Sequence, residues 1–133
     1  MSIRFMNKHI IKTNQAPAAI GPYSQAIRVG NFLFTSGQIA LDPHSGEFLS
    51  EEIEQETERT IQNILAILKA DGLSLDSVVK TTVYLSDLSY FSRMNKVYEK
   101  FFLKNKPARA CVQVAALPKG AKIEIDAIAI IPE

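Results

Sequence analysis

A chain of 133 residues and 14.8 kDa has the size of one ordinary domain, able to bury about two-thirds of the surface its unfolded form exposes and so to hold a core without staples. Its 47% hydrophobic and 22% charged residues argue against global disorder, and 15 Lys+Arg against 14 Asp+Glu leave no basic excess of the kind that drives nucleic-acid binding. The longest apolar runs, Ile64–Leu68 and Ala127–Ile131, fall well short of the roughly 20 residues of a membrane span. One cysteine, Cys111, allows no intramolecular disulfide and no Cys-cluster metal site, and His9 and His44 have no metal-ligand spacing. Met1–Lys12 carries charges throughout and no apolar block of secretory length, so no signal peptide is expected. A lone thiol fits a reducing, cytoplasmic setting.

The chain reads as a single unit over residues 1–133, with no repeat, linker or low-complexity segment. Residues 9–12 suit a short edge strand. Asn14–Tyr23 is a loop punctuated by Pro17, Gly21 and Pro22. Ala26–Val29 and Phe32–Thr35 are β-prone runs joined by Gly30-Asn31, a hairpin pattern, with Ser36–Ile39 extending the second strand. Asp42–Gly46 is a turn. Residues 51–71 carry Ile53, Thr57, Ile61, Ile64, Leu65 and Leu68 on one stripe of period 3.6, which predicts a helix with Ser50 as N-cap, glutamates in its first turn and Gly72 as its end.

Ser77–Ser86 reads as a strand with Val79, Thr81, Val83 and Leu85 on one face. A second helix is predicted over about 89–104, from Phe91, Met94, Tyr98, Phe101 and Phe102, and Pro107 closes it. Two strands, 109–116 and 122–131, flank the turn Leu117–Ala121. The expected fold is α+β: a six-stranded, mainly antiparallel sheet with two helices on one face.

Alternation assigns Ile123, Ile125 and Ala127, with Val112 and Val114, to the helix side. The opposite face then holds Arg109, Cys111 and Gln113 and, on the last strand, Glu124, Asp126, Ile128 and Ile130. If these strands form a hairpin centred near residue 118, Cys111 lies across from Glu124, and Arg109 and Glu124 share one side. That face keeps large isoleucines that the helices do not cover, which predicts a homo-oligomer meeting across it.

At these residues the sequence resembles a known family. Pro107–Val112, Leu117-Pro118-Lys119 and Lys122–Ile125, with Ala16–Gln25, Phe34–Gln38 and Val79–Val83, are together similar to the Rid (YjgF) family of reactive-intermediate deaminases, across essentially the whole chain and in order. The resemblance implies a chorismate-mutase-like subunit of the bacillus type, three of which form a central barrel with active sites between subunits. It implies hydrolysis of 2-imino acids, tautomers of the enamines released by pyridoxal-phosphate dehydratases, to 2-keto acids and ammonia, with no metal or organic cofactor.

Arg109 is then the carboxylate-binding group, since a guanidinium fork meets a carboxylate bidentately. Glu124 orients the attacking water or moves protons. Cys111 has no histidine in a partner position, imine hydrolysis needs no covalent intermediate, and the resemblance gives Cys111 a backbone role in the pocket. Tyr23, Ser36, Gly37 and Asn95 fall at family pocket positions. The stretch Phe102–Pro107 departs from the pattern: it is shorter than in bacterial members and has Lys106 where an aromatic is common, which leaves substrate side-chain preference open. The alternatives are a non-catalytic binder of 2-keto acids or similar carboxylates and, disfavoured by the near-neutral charge, an endoribonuclease or translation inhibitor.

Overall fold

The structure, a computed structural model, describes residues 7–49 and 51–132. In chain order it has β1 (Lys8–Ile11), β2 (Ala26–Val29), β3 (Phe32–Thr35), α1 (Ile53–Ala70), β4 (Val78–Leu85), α2 (Phe91–Phe101), β5 (Ala108–Gln113) and β6 (Ile123–Ile130). The expected α+β class holds; on α1 the predicted stripe is buried at Ile53, Thr57, Ile61, Ile64 and Leu68, with Ile67 rather than Leu65 completing it, and on α2 Met94 and Tyr98 are buried while Phe91 is exposed and the helix ends at Phe101, short of 104. The N-cap of α1 is Glu52, without a side-chain capping bond; Ser50 lies outside the described residues. At the other end Gly72 takes φ 73° and donates to Lys69 O, while Leu73 donates to Leu68 O and is buried. That is a Schellman close, and it stops the helix where the sequence placed the stop.

The sheet order is β1-β2-β3-β6-β4-β5, antiparallel throughout except that β5 runs parallel to β4. The connections β3-α1-β4 and β4-α2-β5 are therefore crossovers. The helices pack against one another and their buried residues join one core with Leu33, Val83, Leu85, Ile123, Ile125, Ala127 and Ala129. No helix among the described residues is long and apolar enough to cross a membrane.

Three local expectations change. Strand β3 ends at Thr35 rather than running to Ile39; the chain turns away at Ser36-Gly37 and rejoins only through reciprocal backbone bonds between Gln38 and Ile125, at 2.8 and 3.0 Å. In β4, Val79 is not on the buried face. Val78 pairs with Ala129 and Lys80 with the preceding Ile128, so a bulge inserts Val79 and turns it outward, 41% exposed, while Val78 takes the core position.

The third change matters most. β5 and β6 are not a hairpin, because β4 lies between them. Val114 N donates to Leu85 O and Ser86 N to Lys122 O, so the 114–122 segment crosses the end of β4 to reach its far side. β6 keeps its assigned faces, but β5 is inverted. Arg109 pairs with buried Thr81 and Cys111 with buried Val83, which puts both on the helix side, whereas Val112 faces outward and is exposed. The outward face remains apolar as expected, with Phe32, Phe34 and Ile130 exposed on adjoining strands.

Candidate functional site

The residues singled out from sequence fall into two groups. Arg109 leaves β5 at the edge of the sheet, on the side of α2. Its guanidinium carbon stands 4.7 Å from the ring centre of Tyr98 and 5.3 Å from that of Phe91, and its Nη1 donates to Asn95 Oδ1 at 2.7 Å. Tyr98 is itself seated: its ring stacks on Phe102 at 4.5 Å and its hydroxyl bonds Thr81 Oγ1 at 2.7 Å. A cation held over two rings and one amide keeps most of its donors free while losing little further freedom on binding an anion. Among the described residues Arg109 has no carboxylate partner. A groove of about 400 Å³ adjoins it, lined by Asn95, Tyr98, Leu103, Lys106 and Pro107. Cys111, two residues along the same face, packs against the core; burial raises its thiol pKa, and the Arg109 charge opposes this only in part.

Glu124 belongs to the second group. Its neighbour on β4 is Tyr84, on the face away from the helices. Burial is the main cause that raises its carboxyl pKa above the usual glutamate value, and the charge of Asp126 adds to it. Asp126 instead accepts from Tyr84 Oη at 3.1 Å. The Glu124 carboxyl lies directly over Gly37: a methyl group on that residue would collide with it. Ser36 donates its hydroxyl to Ser24 O at 2.5 Å and its backbone N–H to Gln25 O, pinning the bend that brings Gly37 under the glutamate.

A cleft of about 130 Å³ opens there, lined by Tyr23, Gly37, Gln38, Pro118, Lys119 and Glu124 among others. Tyr23 is half exposed at its mouth, with its hydroxyl accepting from Ile20 N at 3.4 Å.

The structure thus brings Arg109 together with Asn95 and Cys111, and Glu124 together with Gly37 and Tyr23, with Ser36 bracing the latter group. It does not bring the two groups together. The expectation that Arg109 and Glu124 share one side of the sheet is overturned by the parallel pairing of β5 with β4.

Three contributors were not foreseen. Gln25 is buried and organises the Tyr23 loop, with Nε2 donating to Thr13 O, Ala16 O and Pro17 O and Oε1 accepting from Thr13 N. Lys119 lines the Glu124 cleft with φ 58°, the one non-glycine residue with positive φ among those described. Tyr98 was read as core and is also the platform for Arg109. Gln25 and Lys119 stand inside the motifs Ala16–Gln25 and Leu117-Pro118-Lys119 that carry the resemblance, which marked the segments but gave these two residues no role, and Tyr98 looks like any other residue of the α2 stripe. No three His, Cys, Asp or Glu side chains converge as a metal-ligand set among the described residues.

Comparison with known proteins adds three findings. A family model described as Endoribonuclease L-PSP matches residues 13–131. A RutC family protein of Pyrococcus abyssi is 54% identical over 124 residues, 93% of this chain and 98% of that one, and the human 2-iminobutanoate/2-iminopropanoate deaminase is 49% identical over 123 residues, 92% and 90% of the two chains. The crystal structure of Escherichia coli TdcF with bound serine superposes with a TM-score of 0.89 at 43% identity, covering 93% of this chain and 99% of the other.

Proposed function

The chain belongs to the Endoribonuclease L-PSP family, also called the YjgF/Rid family, and from that premise we propose that it is a 2-iminobutanoate/2-iminopropanoate deaminase. It acts in the cytoplasm without a cofactor, as a homotrimer with sites between subunits. The observation that carries this reading is Arg109: a guanidinium stacked on two rings and bonded to a neutral amide is a docking point for a carboxylate that the protein does not itself supply. Because Glu124 lies on the other face of the sheet, the site takes Arg109, Asn95 and Cys111 from one subunit and Glu124, Gly37, Ser36 and Tyr23 from its neighbour. The apolar outer face with Phe32, Phe34 and Ile130 is the surface that brings the copies together.

In that crevice the substrate's carboxylate sits on Arg109 with its iminium carbon towards Glu124. The glutamate accepts a proton from water as the water oxygen attacks C2, which gives a carbinolamine. The same carboxyl then passes that proton to the nitrogen; as the C–N bond breaks, the carboxylate takes the hydroxyl proton and hands it to the departing ammonia, so that a 2-keto acid and ammonium leave. Net, the iminium C=N plus water becomes C=O plus ammonium. A carboxyl raised by burial is suited to both halves of this exchange. Gly37 leaves the reacting face of Glu124 open where any side chain would fill it.

The test is a coupled assay in which a serine/threonine dehydratase generates 2-aminoacrylate or 2-iminobutanoate and keto-acid release is followed optically. The protein is expected to accelerate release over buffer and Arg109→Ala to lose about 10²- to 10³-fold of that gain in kcat/KM. No acceleration by the wild type sinks the reading. Binding of 2-ketobutyrate without turnover would favour a carboxylate-binding protein, which the same arginine cradle would serve. With a net charge of +1, the endoribonuclease alternative has little phosphate attraction to draw on.

A further inference from the structure

Glu56 is the one charged side chain among the described residues that is fully buried, at 0% exposure. A buried carboxylate loses its hydration at a large cost unless it is paired and hydrogen-bonded. Glu56 is both, and to a single residue. Its Oε1 accepts from the Lys122 backbone N–H at 2.9 Å and its Oε2 pairs with Lys122 Nζ at 3.2 Å. Lys122 is held from two more directions: its Nζ donates to Glu51 O at 3.0 Å, and its own carbonyl accepts from Ser86 N at 3.0 Å. Backbone and side chain of Lys122 are thus tied to the first turn of α1 and to the end of β4.

Lys122 stands at the junction that matters for the cleft. One residue on, Ile123 enters the core as β6 begins, and the next residue is Glu124, over Gly37. In the other direction buried Ala121 leads to the Pro118–Gly120 turn, where Lys119 holds its positive φ in the cleft wall. The catalytic carboxyl and the strained turn therefore hang on the two sides of one anchored residue. Lys122 is partly exposed, and replacing such an ion pair by apolar groups of similar volume is often neutral or stabilising, so the arrangement is not required for fold stability. We propose that Glu56 is a positioning residue for the reaction, acting through Lys122 to hold Glu124 and the facing turn in register. This rests on the deaminase reading, and its test includes a readout that does not.

The experiment compares wild type, Glu56→Gln and the double variant Glu56→Leu/Lys122→Met. The isosteric glutamine still accepts the Lys122 N–H bond and loses the ion pair. The double variant removes the pair without leaving a lone charge. Both are expected to fold, the double variant with an undiminished Tm, and both to lose about 10- to 100-fold in kcat with KM changed by less than threefold, as displacement of a catalytic group by a fraction of an ångström to an ångström does. Ile64→Ala, which opens a cavity in α1 away from Lys122, lowers Tm and leaves kcat unchanged.

A folded Glu56→Gln with wild-type kcat overturns the proposal, and that variant decides alone if the double variant does not fold. If the wild type proves not to hydrolyse imines, the deaminase reading fails by itself. The positioning is then read from the 13C titration of the Glu124 carboxyl, which faces Asp126 from its own strand and Tyr84 from β4 and shares its cleft with Lys119 and Tyr23. A midpoint moved in Glu56→Gln supports the anchor; an identical one refutes it.

Discussion

Arg109 and Glu124 are built in opposite ways, and each construction suits a different task. Arg109 stands on an edge strand, exposed to solvent, its geometry supplied by the faces of Tyr98 and Phe91 and the Asn95 amide. A binding cation needs no dry surroundings; it needs a fixed fork and a free front. Glu124 stands on an inner strand, half-buried against a glycine, with burial raising its carboxyl. That shift suits the proposed role of a group that takes and returns a proton. One sheet cannot offer both settings on the same face here, because the helix side is the side with the aromatic platform and the bare side is the one with room over Gly37. The separation is the physical reason why the proposed site requires a second copy of the chain.

Mixing two dead variants is the most direct way to break this comparison. Arg109→Ala and Glu124→Ala are each expected to lose about 10²- to 10³-fold in kcat/KM. Mixed assemblies of the two, made by co-expression, then contain sites with an intact arginine from one subunit and an intact glutamate from the next, about one site in four for random trimers. Activity should return towards a quarter of the wild-type rate in the dehydratase-coupled assay. Mixed assemblies, verified by mass, that stay as inactive as either parent would mean that both residues of each site come from one chain, against the sheet register that separates them.

Gly37→Ala sharpens the Glu124 half. The added carbon meets the carboxyl and must move it. A fall of about 10- to 100-fold in kcat is expected with the substrate carboxylate still bound normally, so that KM changes little. A rise in KM with kcat intact would show instead that the glycine serves binding.

Much of this was legible in the residues. The Gly72 stop, the β2–β3 hairpin, the faces of β6 and most of each helix stripe rest on local patterns and appear where the pattern put them, with Leu65 and Phe91 as the exceptions. The face of β5 was misread because alternation gives two sets of side chains but not which set faces the core. That choice depends on the partner strand, and the partner was β4, reached through the α2 crossover, rather than β6, its neighbour in sequence. On an edge strand the usual cue of buried valine and exposed arginine fails, since Val112 has no cover on its side and Arg109 leans on aromatic rings. The bulge at Val79 escaped for a similar reason: it follows from pairing with β6, and nothing in the run of β-branched residues marks it. The candidate site residues can be named one by one from the sequence, while their division between two faces requires the register.

Glu124→Gln tests the electrostatic part of the contrast. The folded carboxyl titrates above its ordinary value, so the native state holds this proton more tightly than the unfolded chain does. Its contribution to stability is therefore fully present at pH below the ordinary glutamate value and is lost as pH rises through the raised one. The glutamine, always neutral, escapes that loss. Glu124→Gln should unfold at a higher temperature than wild type at neutral pH while losing most of its kcat, and the two melting curves should converge on acidification. A variant less stable than wild type at neutral pH would mean that the ionised carboxylate is held by favourable contacts rather than strained by burial.

The smallest effect is expected at Cys111, the residue that most resembles a nucleophile by type. It lies on the helix side with Arg109, one pleat step away, and a nearby cation ordinarily favours the thiolate. Here burial outweighs that attraction and the thiol titrates above its ordinary value, so the neutral form prevails at physiological pH. Imine hydrolysis by water needs no protein nucleophile. Cys111→Ala keeps the backbone and removes only sulfur from a partly buried position, so kcat/KM should change by less than about threefold, and Tm should fall by the small amount that a trimmed side chain packed against the core entails. Iodoacetamide should react slowly at pH 7 and faster as the pH is raised. Loss of activity in Cys111→Ala comparable to that of Arg109→Ala, or rapid alkylation at neutral pH that stops turnover, would transfer the chemistry from the glutamate to the thiol and to the helix side of the sheet.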